Sequence, residues 1–176
     1  MPLVLAGATS GSTTIQATDA VTQTITLPAQ TGTVMVNGPT FSATLSANQS
    51  VSSATYTKVT FNTEEWDTNN NFNTSTSIFT PTVAGYYQVN GSIDLGTSSI
   101  TAGVVKIYKN GVAYKAGNAS GGGSTLYTFN TPVVSALVYC NGSTDYVELY
   151  GYVSSTTPLF YSSAATYLQA SLVRGA

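Results

Sequence analysis

The chain has 176 residues, and only 7% of them are charged, against about 25% in an ordinary soluble domain. Disordered chains pair low hydrophobicity with high charge, and a hydrophobic share of 42% argues against that class. The net charge is −2 and the basic residues Lys58, Lys106, Lys109, Lys115 and Arg174 are scattered, so the concentrated basic face that nucleic-acid binding needs is missing.

Thr, Val and Tyr dominate over the charged helix builders, which points to an all-β chain. The opening MPLVLAGATSG has no basic n-region, and its apolar run is too short for a signal peptide. No run reaches the length of a membrane span. The expectation is synthesis in a cytoplasm without secretory processing, and no membrane insertion. A surface this poor in charge is expected to be partly hidden in an oligomer or larger assembly.

Residues 1–38 hold short alternations, Thr24-Ile25-Thr26-Leu27 and Thr33-Val34-Met35-Val36, broken by Pro28, Gly32 and Gly38. Such strands carry too little apolar surface to fold alone. They read as an attachment or trimer-intertwining segment. Asn37-Gly38-Pro39 reads as the joint to one β-rich domain, 39–176. Its strands are expected near 40–45, 55–61, 77–80, 85–95, 103–109, 112–116, 125–130, 132–140, 144–153 and 165–173. Repeated short strands with turns between them are the sandwich or jelly-roll pattern.

From Phe61 to Asn73 the chain reads as a polar, Asn-packed loop. Glu64, Glu65 and Asp67 are candidate calcium ligands, since hard oxygen donors suit Ca²⁺. Asp67-Thr68-Asn69-Asn70-Asn71 looks like the start of a calcium loop, but Phe72 stands where the Gly is needed and Ile78 where the bidentate Glu is needed. The other reading is a loop whose Asn side chains bond its own turns. No other cofactor is expected. Trp66, Tyr114 and Tyr127 are candidate sugar-stacking residues, with Trp66 alternatively an anchor partly buried under the loop.

From Gly85 a two-residue alternation sets Tyr87, Val89, Gly91, Ile93 and Leu95 against Tyr86, Gln88, Asn90, Ser92 and Asp94, a half-buried strand. Asn110-Gly111 and Asn141-Gly142 carry the hairpin signal, and Gly121-Gly122-Gly123 a loop tip. Two strands are apolar on both faces. In the first, Val133, Leu137 and Tyr139 alternate with Val134, Ala136 and Val138. In the second, Val147, Leu149 and Val153 oppose Tyr146, Tyr150 and Tyr152, with Glu148 among the tyrosines. Tyr139, Tyr146, Tyr150 and Tyr152 are the candidate oligomer interface; the alternative is tyrosines lying flat on an exposed sheet.

Catalytic signals are thin. The chain has no His, the commonest general base. Cys140 is alone and reads as a buried structural thiol. Carboxylates near one another, Glu64/Glu65/Asp67 or Asp145/Glu148, are all that glycoside hydrolysis could use. A non-enzymatic chain is expected.

The second part resembles the globular head of complement C1q, within the tumour-necrosis-factor-like jelly-roll superfamily. The matching pieces come in family order: Pro39-Thr40-Phe41-Ser42-Ala43; Thr60-Phe61-Asn62; Ile78-Phe79-Thr80-Pro81 with Ala84-Gly85-Tyr86-Tyr87; Lys109-Asn110-Gly111; Asp145-Tyr146-Val147-Glu148-Leu149; and Thr166 to Leu172. Ala170 stands where the family often has Gly, and Asn141 to Asp145 carries inserted residues. The resemblance implies a ten-stranded jelly-roll sandwich, a homotrimer about a threefold axis, and binding rather than catalysis.

Thr24 to Val34, TITLPAQTGTV, looks like a phrase found in bacteriophage virion proteins. Together the resemblances imply a non-enzymatic phage structural protein: a short fibre, capsid-surface fibre or decoration protein at the virion surface. Its base would bind other virion proteins and its head host surface glycans. A bacterial surface or spore-coat adhesin with the same head, and a glycan-active enzyme, are the readings from other classes.

Overall fold

The alternation that begins at Gly85 becomes a strand at the middle of the larger unit. Gly85, Tyr87, Val89 and Gly91 are buried, as are Ile93 and Leu95 beyond them, while Tyr86 is exposed and Gln88 and Asn90 are half-buried. The computed structural model describes residues 3–6, 12–15, 38–95, 100–121 and 130–176. Among them it contains strands and no helix.

The chain divides into two compact units, residues 1–33 and 34–176. In the first, β1 (Leu3–Ala6) and β2 (Ser12–Ile15) form an antiparallel pair with Leu3 opposite Ile15. The alternations expected at 24–27 and 33–36 lie outside the described residues.

The second unit carries β3 (Thr40–Thr44), β4 (Gln49–Ser50), β5 (Thr57–Lys58), β6 (Thr63–Asp67), β7 (Phe72–Asn73) and β8 (Ile78–Phe79). Then follow β9 (Ala84–Ser92), β10 (Ala102–Lys109), β11 (Val112–Gly121), β12 (Val133–Asn141), β13 (Val147–Ser154), β14 (Leu159–Phe160) and β15 (Tyr167–Gly175). A five-stranded sheet runs in the order β12-β9-β15-β3-β6. A six-stranded one runs β11-β10-β13-β8-β7, with β5 also on β13. β14 and β4 make a small separate pair. This is the expected all-β jelly-roll sandwich. Its strand count exceeds ten because β4, β5, β7, β8 and β14 are each two-residue pieces.

Aromatic rings join the two sheets. Phe41 stacks on Phe72 at 4.9 Å and on Phe79 at 4.3 Å between ring centroids, and Phe79 meets the edge of Tyr87 at 5.6 Å. Offset and edge contacts of this kind add about 0.5–1.5 kcal/mol each beyond their buried area. Tyr87 still satisfies its hydroxyl, which donates to the Val83 carbonyl at 2.7 Å. Gly85 precedes it because any Cβ there would run into the Arg174 carbonyl of β15.

The two Asn-Gly pairs fold differently. Asn110 (φ 54°) and Gly111 (φ 75°) are both left-handed, the two-residue turn that matches strand twist, and they join β10 to β11. At Asn141-Gly142 only the Gly has positive φ (73°). There the Asn141 side chain accepts from the backbone N–H groups of Ser143, Thr144 and Asp145, so the turn is longer.

Two expectations change. The stretch expected as loop from Phe61 contains a real strand, β6, paired with β3. Sequence alternation could not show it, because Thr63, Glu64, Glu65 and Trp66 are all exposed on an edge. The strand expected over 55–61 shrinks to Thr57–Lys58. The one expected near 125–130 lies almost wholly outside the described residues, as do Gly122 and Gly123 of the expected loop tip.

Candidate functional site

The outer face of the five-stranded sheet combines a polar centre with an apolar rim. Gln88 Nε2 donates to Ser135 Oγ at 2.8 Å, and Ser135 Oγ donates to Asn90 Oδ1 at 2.8 Å. Beside this network the odd-numbered positions of β12 point outward: Val133 and Leu137 are each 50% exposed and Tyr139 39%. Tyr139 leans on the exposed Tyr86 of β9 at 5.3 Å. Their even-numbered neighbours Val134, Val138 and Cys140 are buried. β12 is therefore apolar on both faces, as its sequence indicates, and the outer one is uncovered within the protomer.

The outer face of the six-stranded sheet is just as rich in tyrosine, but the rings of β13 pack on neighbouring rings and are half-buried. Tyr150 stacks on Tyr108 at 3.9 Å, and Tyr152 tilts onto Tyr56 at 5.1 Å. Lys106 Nζ sits 3.9 Å from the Tyr56 ring centroid, a cation–π contact. Lys58 Nζ meets Glu148 Oε1 at 2.6 Å, and the Glu148 side chain is only 6% exposed. The Tyr150 hydroxyl is pushed up from its ordinary pKa by burial and by nearby Glu148.

The four candidate interface tyrosines are thus split. Tyr150 and Tyr152 lie on this second face, and Tyr146, just before β13, is half-buried. Tyr139 alone lies on the open face of the five-stranded sheet. The residues that sequence reading left out of the candidate set are Tyr86, Val133 and Leu137. The double-sided alternation of 132–140 was the signal for the last two.

Asp145 ties the two sheets together at one end. It meets Lys109 Nζ at 2.8 Å, accepts from Asn110 Nδ2 at 2.8 Å, and accepts from the Asn141 N–H at 3.0 Å. The Asn110 hydrogen bond, then Lys109, holds its carboxyl below the ordinary range. Lys109 Nζ also lies 5.6 Å from the Tyr139 ring. Asp145 and Glu148 are therefore each committed to a lysine. Cys140 is buried and its thiol is pushed up to about 11, chiefly by burial, so it stays protonated near neutral pH and is a poor nucleophile.

The acidic stretch does not converge. Asp67 spends its carboxylate on the loop, accepting from the Phe72 N–H at 2.7 Å and the Asn69 N–H at 3.3 Å. Glu65 Oε2 accepts from Ser42 Oγ at 2.5 Å. Glu64 makes neither contact. Among the described residues no group of three or more His, Cys, Asp or Glu side chains comes together as a metal site. Trp66 is 47% exposed, with Nε1 donating to Thr40 Oγ1 at 3.4 Å. Tyr114 is exposed on β11, with Lys115 Nζ 5.1 Å from its ring. Trp66 and Tyr114 lie on edge strands of different sheets, β6 and β11. Tyr127 lies outside the described residues.

Solved structures with the same architecture exist. The globular domain of zebrafish complement 1qA matches with a TM-score of 0.55 and 18% identity, over 78% of this chain and 99% of that one. Murine APRIL at pH 5.0 matches with a TM-score of 0.57 and 12% identity, over 78% of this chain and all (100%) of that one. Eiger TNF from S. frugiperda matches with a TM-score of 0.55 and 13% identity, over 79% and 93%. No family model and no curated protein matches the chain. At these identities the likeness establishes the fold, a C1q/TNF-like jelly roll.

Proposed function

We propose that the protein is a non-enzymatic, homotrimeric structural component of a bacteriophage virion, a short fibre, capsid-surface fibre or decoration protein. Residues 1–38 form its attachment segment to other virion proteins, and 39–176 its outward head, which recognises host surface glycans. The observation that carries the reading is the open face of β12 and β9. Val133, Leu137, Tyr139 and Tyr86 leave apolar and aromatic side chains uncovered around a polar centre, on a chain with few charges. A second and third copy of the chain about a threefold axis cover it.

The phage assignment rests on the phrase from Thr24 to Val34. Threefold symmetry suits a capsid quasi-threefold position or a tail tip. The candidate carboxylates Asp145 and Glu148 being held by lysines supports binding over hydrolysis. Native mass spectrometry of the full chain is expected to give a trimer; a stable monomer overturns the assembly. Antibody labelling of purified virions in the electron microscope is expected to decorate the particle surface. Unlabelled particles from a culture that makes the protein overturn the virion role.

A further inference from the structure

The edge strands β6 and β7, one from each main sheet, border a cleft of about 510 Å³ lined by Glu64, Asn70, Asn73, Thr74, Ser75 and Thr80. That is within the size range of small-molecule sites. Its walls are built rather than incidental. Asn71 is buried, with Nδ2 donating to the Asn69 carbonyl at 3.0 Å and Oδ1 accepting from the Thr82 N–H at 3.2 Å. Asp67 holds the Phe72 N–H, and the Phe72 ring is stacked on Phe41. A loop tied down in this way loses little entropy when a ligand arrives.

The groups facing the cleft are of a different kind. Glu64 is exposed, and its side chain takes part in no hydrogen bond or ion pair among the described residues. Asn73 uses Oδ1 to accept from the Ser75 and Thr76 N–H groups, at 2.9 and 3.1 Å, which leaves its Nδ2 donors uncommitted. Asn70 sits at φ 53° and adds a second amide, and Thr74, Ser75 and Thr80 add hydroxyls. The cleft therefore offers an acceptor-only carboxylate beside amide donors and hydroxyls.

This set selects a ligand class. No Lys or Arg lines the cleft and its lone formal charge is negative, so an anionic ligand meets repulsion without a partner. One carboxylate is too few for a dedicated divalent-cation cage. Phe72 is 4% exposed, so there is no apolar pocket to anchor a peptide side chain. Vicinal hydroxyls, in contrast, donate to a carboxylate and accept from a neighbouring amide at once. We propose that the β6–β7 cleft binds one neutral pyranose unit of a glycan, with Glu64 accepting from its hydroxyls and Asn70 and Asn73 donating to it. The inference rests on the glycan-recognition part of the proposed function and places it in a cleft lined by neither Trp66 nor Tyr114. Without an aromatic stacking face each site is weak, and threefold repetition supplies avidity.

The test is a backbone-amide NMR titration of the full-length protein. The probes are the methyl glycosides of glucose, galactose, mannose and N-acetylglucosamine, with the methyl glycoside of N-acetylneuraminic acid as the anionic control. Amides of residues 70–75 and Thr80 are expected to shift with at least one neutral glycoside at millimolar concentration. Glu64→Ala is expected to weaken that binding by about tenfold, the worth of a charge-assisted hydrogen bond. Asn70→Gly keeps the positive φ, removes the amide, and is expected to weaken it several-fold. Shifts that map elsewhere and survive both variants overturn the cleft while leaving glycan recognition standing. Preference for the sialoside overturns the neutral class. Silence with every glycoside, on an intact trimer, overturns glycan recognition and leaves the structural role untouched.

Discussion

On the outer face of the six-stranded sheet, Tyr150 lies against Tyr108 and Tyr152 against Tyr56. On the outer face of the five-stranded sheet, Val133 and Leu137 stand half in solvent. Both faces carry strands that are apolar on two sides, so composition does not separate them. The neighbouring strands do. β13 has β10 on one side and β5 on the other, and these supply Tyr108, Lys106 and Lys58 as cover. β12 has β9 on its one paired edge within this sheet, and β9 brings Tyr86, Gln88 and Asn90, of which the last two bond Ser135. Tyr150 and Tyr152 are half-buried by neighbours of their own chain, whereas Val133 and Leu137 stand half exposed.

The comparison can be broken from either side. Lys58→Ala strips the partner from a nearly buried carboxylate and is expected to cost the fold about 3 kcal/mol, read as a lower urea midpoint with the oligomeric state unchanged. Leu137→Asp places a charge among the apolar side chains of the open face. It is expected to remove about 2 kcal/mol or more of association energy per contact and to give folded monomers in native mass spectrometry. A variant that stays trimeric would move the interface elsewhere. Tyr150→Ala loses the Tyr108 stack and part of its burial, about 1.5 kcal/mol, and should lower stability without changing the oligomer. Were it to dissociate the trimer instead, the assignment of the two faces would be reversed.

The smallest effect lies where the sheets meet. The folded pKa of Asp145 is depressed, so its contribution is present above the unfolded value of about 3.9 and is lost as pH falls through the lower folded one. Asn110→Gly keeps the left-handed turn but removes the leading hydrogen bond. The folded pKa then rises toward the unfolded one, the contribution shrinks, and the acid-unfolding midpoint is expected to move to higher pH. An unchanged midpoint would show that Lys109 and the Asn141 N–H hold the carboxylate without Asn110.

Much of the sandwich was legible because its signals are local. The alternation from Gly85 set the core face of β9, and Asn110-Gly111 fixed a hairpin through two positive φ angles. β6 was not legible: an edge strand with one paired side needs no apolar face, and its charges read as loop. The candidate calcium ligands illustrate the same gap. Glu65 and Asp67 are close in sequence, yet one bonds Ser42 of β3 and the other caps the loop at Phe72.

Sequence alone determined the fold class, the core alternation, and that β12 and β13 are apolar on both faces. Only the tertiary structure decided which of those faces is covered. The reason is distance along the chain. Side chains on adjacent strands sit about 5 Å apart, but Lys58 and Glu148 are 90 residues apart in sequence. No local pattern records that they meet, so none could show that β13 is covered and β12 is not.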